Sequence, residues 1–247
     1  MNSLYISEII KNTDETNNSI YPFSLPIIKN LEKLKLESNI TFFVGENGTG
    51  KSTLLEAIAV NYGFNPEGGS RNFNFSTTTS HSELYKYITL AKGAYRPKDG
   101  YFLRAESFYN VASEIERLDE IAAAAPPIKE AYGGKSLHEQ SHGESFFSLM
   151  MNRLSGSGLY ILDEPEAALS PSRQMALLSR MNDLEKSNSQ FIIATHSPIL
   201  LAYPDSQIFV LSDDKITLTP YKETEHYIIT KQFINNPEGM LTHLFAL

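Results

Sequence analysis

One stretch limits the fold more than any other: Gly45-Glu46-Asn47-Gly48-Thr49-Gly50-Lys51-Ser52-Thr53. The apolar run Ile40-Thr41-Phe42-Phe43-Val44 leads into it, and the helix-like run Leu54-Leu55-Glu56-Ala57-Ile58-Ala59 leads out. Strand, glycine-rich loop and helix, in that order, are the context a phosphate-binding P-loop requires. Gly45 and Gly50 let the backbone curl so that successive N–H groups point inward at phosphate oxygens. The helix start adds its positive end. Lys51 is placed to reach the β- and γ-phosphates, and the Ser52 hydroxyl to ligate Mg²⁺. A tight glycine turn ahead of a core helix is the plain alternative, and the flanking elements weigh against it. The expectation is a nucleoside-triphosphate site with Gly45 through Thr53 as its cradle.

With 247 residues the chain can bury a full core as one α/β domain over 1–247. A loop and helical insertion is expected at about 64–140. Lys and Arg number 21 against 29 Asp and Glu, a net charge of −8, and no Lys/Arg run stands out. Autonomous nucleic-acid binding is therefore not expected, although a partner could supply that contact. Cysteine is absent, which excludes disulfides and thiolate metal sites. No apolar run reaches membrane-spanning length, and the first eight residues lack the basic and apolar regions of a signal peptide. A cytoplasmic chain without membrane insertion is the expectation.

Residues 1–44 read as strands joined around Pro22 and Pro26. Residues 64–82, with Gly68-Gly69-Ser70 and Thr77-Thr78-Thr79, read as a surface loop. Strand-like pieces follow at Tyr87–Leu90 and Tyr101–Leu103. Phe108, Val111, Ile115, Leu118 and Ile121 recur at helical steps over about 106–124, ahead of Pro126-Pro127. Helices are expected at Ser145–Leu154 and at Ser172–Lys186, the latter with Met175, Leu178, Met181 and Leu184 on its buried face. Leu159–Leu162 and Phe191–Thr195 read as buried strands, and Ile208–Leu211 with Ile216–Leu218 as a hairpin about Asp213-Asp214. The C-terminal segment, His226 to Phe245, reads as helical with one apolar face packed on the core, a partner site being the alternative.

Leu159-Tyr160-Ile161-Leu162-Asp163-Glu164 is an apolar strand ending in two acids. A carboxylate at the tip of a strand beside a P-loop can hold the Mg²⁺ shell, the task expected of Asp163. Glu164 is then placed to polarise the attacking water. His196 follows the strand Phe191–Thr195, which would lie parallel to the Asp163 strand and open onto the same crevice. A neutral imidazole there can contact the γ-phosphate and register its loss. Ser141-His142-Gly143-Glu144-Ser145 opens the helix leading to the Asp163 strand. Ser141 and Gly143 make a second anion-binding helix start, although an ordinary N-cap reads the same way. One chain already has one phosphate cradle, so a second makes sense in trans, between two head-to-tail protomers.

With these elements in order the chain resembles the ATP-binding-cassette (ABC) superfamily of ATPases. Gly45–Thr53 is similar to Walker A, Ser141–Ser145 to the signature motif and Leu159–Glu164 to Walker B. Glu166-Ala167-Ala168-Leu169-Ser170 is similar to the D-loop, and Thr195-His196-Ser197-Pro198 to the switch-histidine segment. The wording is most similar to small stand-alone bacterial AAA/ABC-type ATPases. The signature departs from the Leu-Ser-Gly-Gly-Gln of most transporters. No glutamine follows Tyr101–Leu103, where the family carries one, and Arg104 and Glu106 are the nearest polar residues. An adenine-stacking aromatic would be Tyr21 or Phe23, core packing being the expected use of both.

The resemblance implies a P-loop α/β fold: a mostly parallel central sheet flanked by helices, an antiparallel β portion and a short helical insertion. It implies an ATPase using ATP and Mg²⁺, a nucleotide-dependent homodimer and an unidentified protein partner. Two other readings stay open: the ATPase component of a DNA-repair or phage-defence complex, and the nucleotide-binding subunit of a membrane transporter.

Overall fold

The computed structural model describes residues 4–12, 20–71, 82–104, 108–121, 127–136, 138–212 and 215–245. Thr77–Thr79, Glu106, the alanines at 122–125, Pro126 and Asp213-Asp214 lie outside these. The elements are β1 (Ile6–Lys11), α1 (Pro26–Lys29), β2 (Lys33–Lys35), β3 (Ile40–Gly45), α2 (Lys51–Tyr62), β4 (Gly69–Ser70), β5 (Ile88–Lys92) and β6 (Asp99–Arg104). They continue with α3 (Phe108–Ile121), α4 (His142–Ser148), β7 (Gly158–Asp163), α5 (Pro171–Lys186), β8 (Gln190–Ala194), β9 (Gln207–Leu211), β10 (Ile216–Leu218), α6 (Glu225–Asn235) and α7 (Pro237–Phe245).

The apolar runs of β3, β7 and β8 form the middle of a seven-stranded sheet ordered β10-β9-β3-β8-β7-β6-β4. Strands β9, β3, β8, β7 and β6 run parallel. The hairpin strand β10 and the short β4 close the two edges antiparallel. A parallel strand buried on both faces needs apolar side chains at every position, which is why these runs do not alternate in polarity. Alternate residues serve two cores. Phe42, Val44, Tyr160, Leu162, Phe191 and Ile193 face α3, α4 and α5. Phe43, Leu159, Ile161, Ile192 and Ala194 face α2 and a second, antiparallel sheet ordered β2-β1-β5. Buried Gln190 ties the two sheets: its Oε1 accepts from the N–H groups of Tyr5 (2.8 Å) and Ile6 (2.9 Å), and its Nε2 donates to Ile6 O (2.8 Å).

Three expectations need correction. Gly69-Ser70 is not loop but β4, paired with Phe102 and Tyr101 of β6. On α5, Met175 is exposed, and the buried stripe is Leu177, Met181 and Leu184. That stripe follows the 4- and 3-residue steps of the helix, whereas Met175, two residues before Leu177, points about 160° away around the axis, on the solvent face. The C-terminal helices α6 and α7 bury no residue, and Ile228, Ile229, Phe233, Ile234, Leu244 and Phe245 are exposed. Their apolar side chains are not part of either core. On α3, Phe108, Val111 and Ile115 are buried as expected, while Ile121 at the helix end is exposed. No helix among the described residues is long and apolar enough to cross a membrane.

Candidate functional site

Strands β3, β8 and β7 are neighbours in that order, so the segments leaving their C-terminal ends converge on one crevice. These are the loop Glu46–Gly50, the residues after Ala194, and Asp163-Glu164. The loop turns sharply. Gly45 has φ +152°, and a side chain there would strike the Leu211 carbonyl of the neighbouring β9. Gly50 caps α2 in the left-handed region, φ 101°, where a β-carbon is strained. The turn is held from within by Thr49 Oγ1, which donates to Glu46 O at 2.9 Å.

Lys51 opens α2 and is buried, at 4% exposure. Its Nζ donates to Gly45 O (2.7 Å) and Glu46 O (2.9 Å), so the ammonium is folded back over the loop. Burial pulls its pKa down, while Glu164, Asp163 and Glu166 pull it up. The next residue, Ser52, donates from Oγ to Asp163 Oδ1 at 3.0 Å, linking the helix start to the tip of β7.

Glu164 follows with φ 52°, a left-handed backbone that costs a non-glycine residue on the order of 1 kcal/mol or more. Its N–H donates to Ala194 O at 2.9 Å, anchoring the turn to β8. The turn aims the carboxylate at the crevice, with Oε1 3.8 Å from His196 Nε2. His196 is held on its other sides. Its backbone N–H donates to Glu166 Oε1 at 2.6 Å, and its Nδ1 lies 3.4 Å from His226 Nε2 on α6. Burial and the Lys51 charge lower the His196 pKa, against the pull of Glu164. Burial raises that of Glu166 despite the N–H it accepts.

Three adjoining cavities, sharing Asn47 and Glu164 or Glu46 and His196 in their walls, surround this constellation. One of about 390 Å³ lies over Gly48–Thr53 and is walled by Tyr21 and Glu164. A second of about 450 Å³ lies among Glu46, Asn47, Glu164 and His196. A third, of about 550 Å³, runs from Gly45, Glu46 and His196 beneath α6. Tyr21 is exposed, and its hydroxyl lies 3.0 Å from Thr53 Oγ1. Phe23 is buried, edge-on to Tyr87. Core packing thus accounts for Phe23 and not for Tyr21.

Ser141 and Gly143 line none of these cavities. Ser141 is the N-cap of α4, and its N–H and Oγ both donate to Glu144 Oε2, at 3.0 and 2.7 Å. Gly143 packs so closely on Ala168 O that a side chain would clash there. Arg104, at the end of β6, is spent largely on α2, with Nη1 2.6 Å from Glu56 Oε2. His226 has no counterpart among the sequence expectations. It sits in the first turn of an apolar helix, and nothing in its spacing points back to His196.

Two family models match the chain: residues 21–140 fit one described as "AAA domain", and residues 136–202 one described as "AAA domain, putative AbiEii toxin, Type IV TA system". The chain is 27% identical over 188 residues to the "ABC-type transporter ATP-binding protein EcsA" of Bacillus subtilis, covering 69% of this chain and 71% of that protein. It is 25% identical over 258 residues to the "Lipoprotein-releasing system ATP-binding protein LolD" of Pseudoalteromonas translucida, covering 92% and 99%. Among solved structures, "An inward-facing conformation of a putative metal-chelate type ABC transporter" is similar in fold, with TM-score 0.50 and 17% identity over 92% of this chain and 88% of that one. Its architecture is the P-loop α/β fold, and by its relatives the chain is an ATPase of the ATP-binding-cassette type, which binds and hydrolyses ATP.

Proposed function

We propose that the chain hydrolyses Mg²⁺-bound ATP in a head-to-tail dimer and passes the closing and opening of that dimer to a protein partner. The observation that carries the reading is the meeting of Ser52, Asp163, Glu164 and His196 at one sheet end, beside the buried Lys51. Ser52 Oγ and Asp163 offer hard oxygen donors 3.0 Å apart, the donor chemistry that suits Mg²⁺. A Mg²⁺ held there supplies charge neutralisation on the β- and γ-phosphate oxygens.

The loop N–H groups of Glu46 through Thr53 bind the phosphates, and Lys51 exchanges its two carbonyl acceptors for phosphate oxygens. Glu164 accepts a hydrogen bond from the attacking water and orients it in line with the β–γ bridge. His196 donates from Nε2 to the γ-phosphate and loses that partner when phosphate leaves. Tyr21, exposed beside Thr53, offers its ring to the adenine. Ser141 and Gly143 serve the partner protomer's γ-phosphate, which accounts for their lying away from this chain's own cradle. The exposed apolar residues of α6 and α7 give a partner a surface to grip. This reading belongs to a cytoplasmic chain.

The rate of ATP hydrolysis against protein concentration, with Glu164→Gln as the blank, tests the reading. Specific activity should rise with concentration, and Glu164→Gln should lower kcat by about 100-fold or more while holding ATP in a closed dimer. A Glu164→Gln chain that stays monomeric in saturating ATP would sink the dimer. A second reading, the nucleotide-binding subunit of a membrane transporter, draws on the names of EcsA and LolD. Co-purification of the native chain with a membrane protein would favour it.

A further inference from the structure

His196 presents two nitrogens to two different worlds. Nε2 is buried with no hydrogen-bond partner among the described residues, 3.8 Å from Glu164 Oε1. Nδ1 faces α6, where His226 Nε2 lies at 3.4 Å, with the ring centroids 5.6 Å apart. A neutral imidazole carries one proton, and the nitrogen that holds it is decided by what the other nitrogen meets. An anion at the catalytic crevice, whether the Glu164 carboxylate or a γ-phosphate, calls for N–H on Nε2. Nδ1 must then accept, and the group before it must donate.

Resting on the reading of His196 as the γ-phosphate contact, we infer that His226 is a positioning residue: its Nε2–H donates to Nδ1 of His196 and so keeps the His196 proton on Nε2, facing the reaction. The backbone reinforces this, since Glu166 Oε1 holds the His196 N–H at 2.6 Å and fixes where the ring starts. Both imidazoles stay neutral near pH 7. Burial lowers each pKa; Lys51 adds to the lowering at His196 against Glu164, and the His196 ring and Lys51 add to it at His226 against Glu225 and Glu166. Helix α6 buries none of its residues, so His226 is its closest tie to the catalytic set rather than a core contact.

The test uses the full chain with His226→Leu, His226→Gln, His196→Ala and the His196→Ala/His226→Leu pair. Glutamine keeps an N–H near the place of Nε2; leucine does not. His226→Leu should lower kcat roughly tenfold, the worth of one oriented hydrogen bond, with KM for ATP within about twofold. His226→Gln should recover most of that loss, and His226→Leu should cost nothing further once His196 is alanine. Nitrogen-15 shifts of the His196 ring, read without turnover, should show Nε2–H in the wild type and a mixture in His226→Leu. An unchanged tautomer in His226→Leu, or a glutamine variant as slow as the leucine one, overturns the inference. A His196→Ala chain that turns over at the wild-type rate overturns instead the role given to His196, and the tautomer still reports whether His226 holds the ring.

Discussion

Strands β6 and β7 each carry an aspartate, at opposite ends of the sheet, and the two are treated differently. Asp99, the first residue of β6, is matched on both oxygens. Oδ1 accepts from Arg153 Nη1 (3.0 Å), while Oδ2 accepts from Ser155 N (3.0 Å) and Oγ (2.9 Å) and lies 2.9 Å from the Tyr160 hydroxyl. Burial pushes its pKa up, but Arg153 and the hydrogen bonds outweigh it and leave the carboxyl below its usual range. Asp163, the last residue of β7, sits where acids and bases face a cavity: Glu166 Oε2 and His196 Nε2 are buried without partners among the described residues. A closed network such as that of Asp99 holds the fold, whereas buried polar groups short of partners at the mouth of a cavity are placed where a ligand can complete them.

The largest effect should come from Asp99→Ala. It leaves the Arg153 guanidinium in a partly buried site without its carboxylate, at a cost of about 3–5 kcal/mol of folding stability. Urea unfolding measures that cost, and ATP affinity per folded molecule should not change. A variant of normal stability that had lost ATP binding would break the comparison. Lys51→Ala should do the reverse, lowering ATP turnover by about 100- to 1000-fold with a urea midpoint at or above that of the wild type, because a buried cation is removed. A chain that unfolded on losing Lys51 would place the ammonium among the structural groups. Tyr21→Ala should be milder, weakening ATP by about tenfold, the low end for an aromatic face against a base. Equal affinity for ATP and inorganic triphosphate in the wild type would deny Tyr21 that role.

The comparison also explains what could be read without coordinates. The placement of the glycine loop and of the acid pair is legible because each is contiguous in sequence: Gly45–Thr53 is a strand end, a turn and a helix start, and Leu159–Glu164 is one strand and its tip. His196 was legible because a strand register fixes which end of the sheet it leaves. The Asp99 network was not, since it joins the start of β6 to the residues before β7 through side chains that carry no motif. His226 was invisible for the same reason. The C-terminal helices were misjudged because an apolar helix face has the same spacing whether a core or solvent lies opposite it, and only the packing of Ile229 and Phe233 decides. Met175 has a different cause: steps of three residues drift about 60° each around a helix, so a run of Met175, Leu178, Met181 and Leu184 turns from the solvent face to the buried one.

The smallest effect concerns acid, and its sign follows from the two imidazoles. His196 and His226 both titrate below their ordinary value in the folded chain: burial and Lys51 oppose a proton on each, the His196 ring also opposes one on His226, and Glu164 favours one at His196 and Glu225 and Glu166 one at His226. In the unfolded chain they titrate near about 6.5. Above that value both states hold the rings neutral, and the pair contributes no pH dependence. As pH falls through it, the unfolded chain takes up protons that the folded chain refuses, so stability falls with pH until the folded values are reached. The matched carboxylate Asp99 is depressed as well, and its contribution is lost only below its own, much lower range, so the two ends of the sheet titrate in separate windows. Urea midpoints at pH 7.5 and 5.5 should therefore fall less for His226→Gln than for the wild type, while Asp99→Asn should leave that interval untouched and act only in stronger acid. An identical drop in His226→Gln and the wild type would mean that His226 is as free to take a proton in the fold as in the unfolded chain, and that the Asp163 end of the sheet opposes a proton less than its burial indicates.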